Sequence, residues 1–302
     1  MTAPMRDDGD GSASREDADD RRARDGGAGM SFAQRVECAL RALANPVFFA
    51  LRSRLRFRRA GYRETRETPL TDPVAIATLQ RFGLTDLTER MRASTLATTL
   101  HVVDLLDAVF ERHAPPTATP LRVLDVGSKN FEVAPALLAS LAAHRGRRDA
   151  IELTGIELDA YRVYADGHSR ADAAAYFLAL AAEVGLGRSH RFIAGDVLEH
   201  RERYDVITWF HPFVTPAPLL RWGLPRRHLA PERMLEHIAS LRAPGGLLVI
   251  VNQEPEEAAI QRALFARVGL EATSFEVPSR FPRRHATCPV HVVQKGTAPA
   301  SS

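Results

Sequence analysis

From Leu121 onward the chain alternates short β-branched, apolar runs with stretches of helical period, and few folds accept that alternation. LRVLDV leads into the helical FEVAPALLASLAAH, IELTGIEL into RADAAAYFLALAAEVG, and GLLVIVNQ into AIQRALFARVG. RFIAGDV passes to YDVITWF, which the helical PERMLEHIASLR follows. Strands separated by helices imply a parallel sheet, because a parallel connection must travel back the length of the strand. The last two runs, EATSFEVP and PVHVVQ, have no helix between them. They predict an antiparallel pair at the end of the sheet. The expected fold class is therefore α/β: a seven-stranded, mostly parallel sheet with helices on both faces and an antiparallel C-terminal strand pair.

The part before the sheet reads differently. Residues 1–30 hold five glycines and eight acids against five arginines, with no aromatic residue and no β-branched one beyond Thr2. Such a segment cannot bury enough apolar surface to order itself, so a disordered tail is expected. From Phe32 an apolar stripe runs through Val36, Leu40, Leu43, Val47, Leu51 and Leu55 at helical spacing. Pro46, with Asn45 before it as N-cap, predicts two helices, 31–44 and 46–58. Further helices are expected at 74–82 and 86–111. The stretch RSRLRFRRAGYRETR carries seven arginines between Arg52 and Arg66. They read as a solvated helix face and loop, or as a patch facing phosphate or a membrane. The domain reading is a tail over 1–30, a helical N-terminal cap over 31–85 and the sheet domain over 86–297.

Composition narrows the class. With 302 residues, 45% apolar and 25% charged, the chain has the make-up of a soluble globular protein. Its apolar runs fall short of the roughly 20 residues that cross a bilayer, so no transmembrane segment is expected. The acidic N-terminus lacks the apolar core of a signal peptide. Cys38 and Cys288 are far apart and have no metal-ligand spacing, which points to a reducing, cytoplasmic setting and to no metal. Beyond residue 30 there are 35 basic against 29 acidic residues, a net of +6. That is well below a dedicated nucleic-acid binder, so a nucleic-acid partner is not expected.

In an open parallel sheet, ligands bind beyond the carboxyl ends of the strands, near the point where strand order reverses. Those ends carry Asp125, Gly127, Ser128, Lys129 and Asn130 after the first run, Glu157 after the second and Asp196 after the third. Phe210 and His211 follow the fourth, Asn252 and Gln253 the fifth. Gly127 permits a tight turn and close backbone approach. Amides at the start of the next helix can donate to an anion. Glu157 offers acceptors for a diol and is expected to face solvent, and Asp196 can accept from an amine or cap the next helix. His211 suits a general base. Trp209, Trp222 and Phe213 are candidates for an apolar acceptor wall or for core packing.

VLDVG, GIELD, AGDV, YDVI and LRAPGG before LLVIV together resemble the class I S-adenosylmethionine-dependent methyltransferases, over about Leu87 to Lys295. The resemblance implies a Rossmann-like domain that binds S-adenosylmethionine with Asp125, Gly127, Ser128, Lys129, Asn130, Glu157 and Asp196. It also implies a methyl acceptor, here expected to be a small molecule; the arginine segment adds peripheral membrane contact as a further expectation. The departure lies in the first loop. The family pattern acid-x-Gly-x-Gly-x-Gly reads Asp125-Val126-Gly127-Ser128-Lys129-Asn130-Phe131, and only its first glycine is present. A noncatalytic binding protein on the same fold, or a nucleic-acid methyltransferase using the arginine segment, are the rival readings.

Overall fold

The computed structural model describes residues 31–66, 69–148, 150–187, 189–282 and 285–294. The expected tail at 1–30 lies outside them. The chain divides into two compact units. One is formed by the described residues through Leu51 together with Thr215–Leu229, the other by Arg52–Val214 and the described residues from Ala230.

The larger unit holds a seven-stranded sheet: β1 Leu121–Val126, β2 Ile151–Glu157, β3 His190–Ala194, β4 Tyr204–Phe210, β5 Arg242–Val251, β6 Thr273–Pro278 and β7 Thr287–Val293. Their order is β3-β2-β1-β4-β5-β7-β6. β1 to β5 run parallel, and β7 is antiparallel to both β5 and β6. This is the Rossmann-like α/β sheet with an antiparallel end that the sequence pattern predicts.

Side chains alternate between the two faces, as the two-residue period of a strand requires. Val123, Val206 and Val249 enter one core with helices Pro73–Phe82, Ala93–Arg112, Ala134–Arg145 and Arg170–Glu183. Leu124, Ile207 and Ile250 enter the other with Pro231–Ser240 and Pro255–Arg267. In order from the N-terminus these helices are α2 to α5, then α7 and α8; α1 (Phe32–Leu55) belongs largely, and α6 (Pro216–Arg221) wholly, to the smaller unit. Helix α3, Ala93–Arg112, is long and apolar enough to cross a membrane, but 78% of its apolar window is buried inside the fold. It is a core helix.

Two local expectations are corrected. The N-terminal stripe forms one continuous helix, α1 Phe32–Leu55, with Pro46 inside it. Proline removes one donor there, and the helix bridges the gap. Asn45 is consequently no N-cap: its side-chain amide donates to the carbonyls of Leu220 (2.8 Å) and Leu224 (3.0 Å), in the segment that carries helix α6 Pro216–Arg221. Within that unit the rings of Phe49 and His228 also meet, at 5.1 Å between centroids. The second correction concerns LRAPGG, whose proline and two glycines before LLVIV predict a stop between a helix and a strand. Its Pro-Gly-Gly lies inside β5 as a bulge, where the register jumps between Tyr204 and Val206. A Cβ on Gly246 would lie 2.9 Å from the carbonyl oxygens of Ala243 and Asp205, so only glycine fits.

Candidate functional site

β1 and β4 are neighbours, yet the chain leaves β1 toward β2 on one side and β4 toward β5 on the other. The carboxyl ends of these two strands therefore flank the reversal of strand order, where an open α/β sheet forms its crevice. Asp125, at the end of β1, is buried, and its carboxylate accepts from the Thr208 hydroxyl of β4 at 2.7 Å. Burial pushes its pKa up to about 7, against the lowering effect of the Thr208 and Ser128 hydrogen bonds.

The loop after β1 holds the main finding. Gly127, Lys129 and Phe131 all have left-handed backbone, with φ of 70°, 53° and 61°. These are the three positions where the methyltransferase pattern has glycine. Two of the three are not glycine in this chain, yet all three adopt the conformation that glycine favours. Left-handed backbone costs a non-glycine residue about 1–2 kcal/mol, and a bulky residue such as Phe131 is a marked outlier there. Local contacts hold the loop in place. The Ser128 hydroxyl donates to the Asp125 carbonyl (2.7 Å), and the Lys129 amide donates to Glu157 Oε2 (2.9 Å). The Phe131 ring is fully buried on β2, so that a Cβ on Gly155 would come within 2.7 Å of it. Above Gly127 the space is open: a Cβ there would have no atom within 4 Å. The Asn130 Oδ1 is buried without a hydrogen-bond partner among the described residues, while its amide nitrogen meets Glu132 at 3.3 Å. The Lys129 ammonium lies 3.9 Å from Glu132, and the lysine side chain is 36% exposed.

Glu157, at the end of β2, does not face solvent as expected. It is 5% exposed. Its carboxylate accepts from the amides of Lys129 and Asp159 and, at 3.2 Å, from Nη1 of Arg170. Arg170 also lies 3.8 Å from Asp159, whose carboxylate takes a two-point contact from Arg52. The four residues form a ladder, Arg52–Asp159–Arg170–Glu157, buried at its last three members and half-buried at Arg52. A capping box between Ser169 and Asp172 starts α5 and fixes Arg170 in its first turn. Burial works against the charge on Arg170, but Glu157, followed by Tyr164 and Asp159, outweighs it and raises the pKa. Arg170 lies 13 residues after Glu157 in sequence, and no local pattern links the two. Asp159 and Arg52 carried no signal beyond a second acid two residues after Glu157.

The other predicted residues divide. Asp196 caps a short 3-10 turn, Val197–Glu199, by accepting from the Leu198 amide at 2.9 Å. His211 follows β4 with an exposed side chain and a left-handed φ of 53°, and its amide donates to the Val251 carbonyl at 2.7 Å. Trp209 is buried in the second core, Phe213 is half-buried, and Trp222 belongs to the smaller unit. Asn252, directly after β5, is wholly buried, and neither polar atom of its side-chain amide has a partner among the described residues.

No family model matches the chain, and no curated protein matches it. Solved structures do. A SAM dependent methyltransferase from Aquifex aeolicus is 14% identical, with 63% of this chain and 89% of that one covered, at a TM-score of 0.43. Magnesium protoporphyrin IX methyltransferase from Synechocystis is 13% identical, covering 76% and 100%, at 0.42. Precorrin-6y C5,15-methyltransferase from Geobacter metallireducens is 10% identical, covering 63% and 87%, at 0.40. At this distance the chemistry rests on the residues of the chain itself.

Proposed function

We propose that this chain is an S-adenosylmethionine-dependent methyltransferase acting on a small-molecule acceptor. The observation that carries the reading is the loop after β1, which retains left-handed backbone at positions 127, 129 and 131 although two of them are not glycine. Strained backbone persists only where the surroundings enforce it, and it gathers at functional sites. His211, another left-handed non-glycine residue, stands at the same edge of the sheet.

The donor set suits the cofactor. The open space above Gly127 admits close backbone approach, and the half-exposed Lys129 supplies a cation for a carboxylate. A carboxylate has about four acceptor positions. Glu157 uses three, which leaves one for a ribose hydroxyl. When bound, the cofactor would supply a methyl group on a positively charged sulfur. The chain's own part is alignment and proton management: the β1 loop orients, and His211 takes the proton that an acceptor hydroxyl or amine releases at its imidazole.

Calorimetric titration of the folded chain with S-adenosylhomocysteine tests the reading. Saturable binding is expected; absence of heat, together with absence of any thermal shift, would overturn it. A second reading is favoured by Arg170, whose guanidinium already occupies Glu157. In it the fold is kept as a noncatalytic scaffold, and binding appears only when Lys129→Gly restores the glycine pattern.

A further inference from the structure

Helix α1 presents two apolar sides. Asn45 and Phe49 are buried, and they contact the segment Thr215–Leu229 of the same unit. Phe32, Val36, Leu40, Leu43, Val47, Phe48 and Leu51 stand outward, each between 42% and 81% exposed. Six of them repeat at spacings of four, four, three, four and four, which places them on one stripe of the helix. Scattered exposed apolar residues are ordinary, whereas a continuous stripe over five turns marks a surface that something covers.

Charge says what covers it. The described residues of this unit carry Arg35, Arg41, Arg221, Arg226 and Arg227 against Glu37 alone, a net of +4. Arg226 and Arg227 are exposed. An apolar helix face with phenylalanine and leucine, 24 residues of helix and an arginine surplus are the attributes of a helix that lies in a bilayer interface. A second copy of the chain would bring +4 against +4. Residues 1–30 offer only methionine and alanine as apolar side chains for such a stripe, apart from Pro4. We propose that the outward face of α1 docks on an anionic lipid bilayer, the apolar stripe entering the interface while the unit's net positive charge draws it to anionic headgroups.

The test is co-sedimentation of the full chain with vesicles of phosphatidylcholine alone and of phosphatidylcholine mixed with phosphatidylglycerol. Binding is expected to the mixed vesicles, weaker to the neutral ones, and to weaken as salt is raised. Leu40→Asp with Leu43→Asp should reduce partitioning roughly tenfold or more per leucine. Both positions are exposed, so the thermal melt should stay in place. Arg226→Glu with Arg227→Glu should abolish the preference for anionic vesicles and keep the residual neutral binding. The proposal fails if the folded chain sediments with neither vesicle. It fails equally if light scattering shows a dimer that the leucine changes split without any vesicle effect, or if the chain retains RNA and not lipid.

Discussion

At φ 53° Lys129 holds a conformation that glycine adopts without strain. Two opposing magnitudes decide what Lys129→Gly does. Relief of left-handed strain is worth about 1–2 kcal/mol, and the added freedom of the unfolded chain costs about 0.5–1 kcal/mol. The variant should be as stable as the parent or up to about 1.5 kcal/mol more stable. Lys129→Val should lose stability, because a β-branched residue resists this backbone. Urea midpoints of the three proteins check both signs. Lys129→Met keeps the backbone and removes the charge, so a lysine in contact with the cofactor predicts S-adenosylhomocysteine affinity weaker by about 1–3 kcal/mol. Gly155 is the complementary case. A methyl group there would meet Phe131 at 2.7 Å and the Ser128 hydroxyl at 2.8 Å. Gly155→Ala should therefore cost about 1–3 kcal/mol as overpacking, measured by the same denaturation. A neutral result would mean that the loop moves freely on β2.

The ladder Arg52–Asp159–Arg170–Glu157 connects elements: the C-terminal turn of α1, the loop after β2, the first turn of α5 and the end of β2. Removing one partner of a buried ion pair strands the other, at about 3–5 kcal/mol. Arg170→Met should destabilise by that order, since Glu157 would lose its buried cation and Asp159 would keep Arg52 alone. Glu157→Ala should be costly as well, contrary to the sequence expectation of a solvent-facing acid. The pair should couple, so that Arg170→Met with Glu157→Ala loses less than the sum of the two. Additive losses in a denaturant double-mutant cycle would sink the ladder as a unit. Here lies the difference between what the sequence showed and what it hid. Most helix and strand positions were legible because each follows from local period. But Phe32–Leu55 is one helix and not two, and the expected helix 86–111 begins as a 3-10 turn, Thr85–Arg90, before Ala93–Arg112. The left-handed backbone at 129 and 131 was hidden, since lysine and phenylalanine carry no turn signal. Arg170 was hidden too: its partners are 11 and 13 residues away in sequence, and only the folding of the loop after β2 brings them together. The same holds for Arg58, which pairs with Asp172 at 2.6 Å. Part of the arginine-rich segment thus fastens the chain to the start of α5.

The whole molecule adds terms that no single element reveals. The antiparallel end and the direct passage from β3 to β4 were legible, whereas the strand order was not; the link from β3 to β4, residues 195–203, holds only a 3-10 turn. Without a helix there, Arg122, Glu152, Thr154, Arg191, Glu202 and Tyr204 line a polar cavity of about 380 Å³, and Arg191 bridges Thr154, Glu202 and Tyr204. Two buried titratable groups, in different parts of the sheet, then shape stability against pH in opposite directions. Asp125 has its pKa raised by burial to about 7, from an ordinary value near 4. Between those values the folded state holds the proton more tightly, so its contribution falls as pH rises and is gone above about 7. His291 on β7 has its pKa lowered to about 4, by burial first and Arg262 second. Between about 4 and the ordinary 6.5 the unfolded state binds that proton better, so its contribution grows as pH rises. The two slopes oppose each other over the shared window, each bounded by about 1.4 kcal/mol per pH unit. Asp125→Asn keeps an acceptor for Thr208 and removes one slope. Relative to the parent, its stability should climb from pH 4.5 to 6.5. His291→Gln removes the other slope, and its stability should fall relative to the parent over the same range. Urea midpoints at unit pH steps measure both, and curves that stay parallel to the parent would show that neither group titrates with folding.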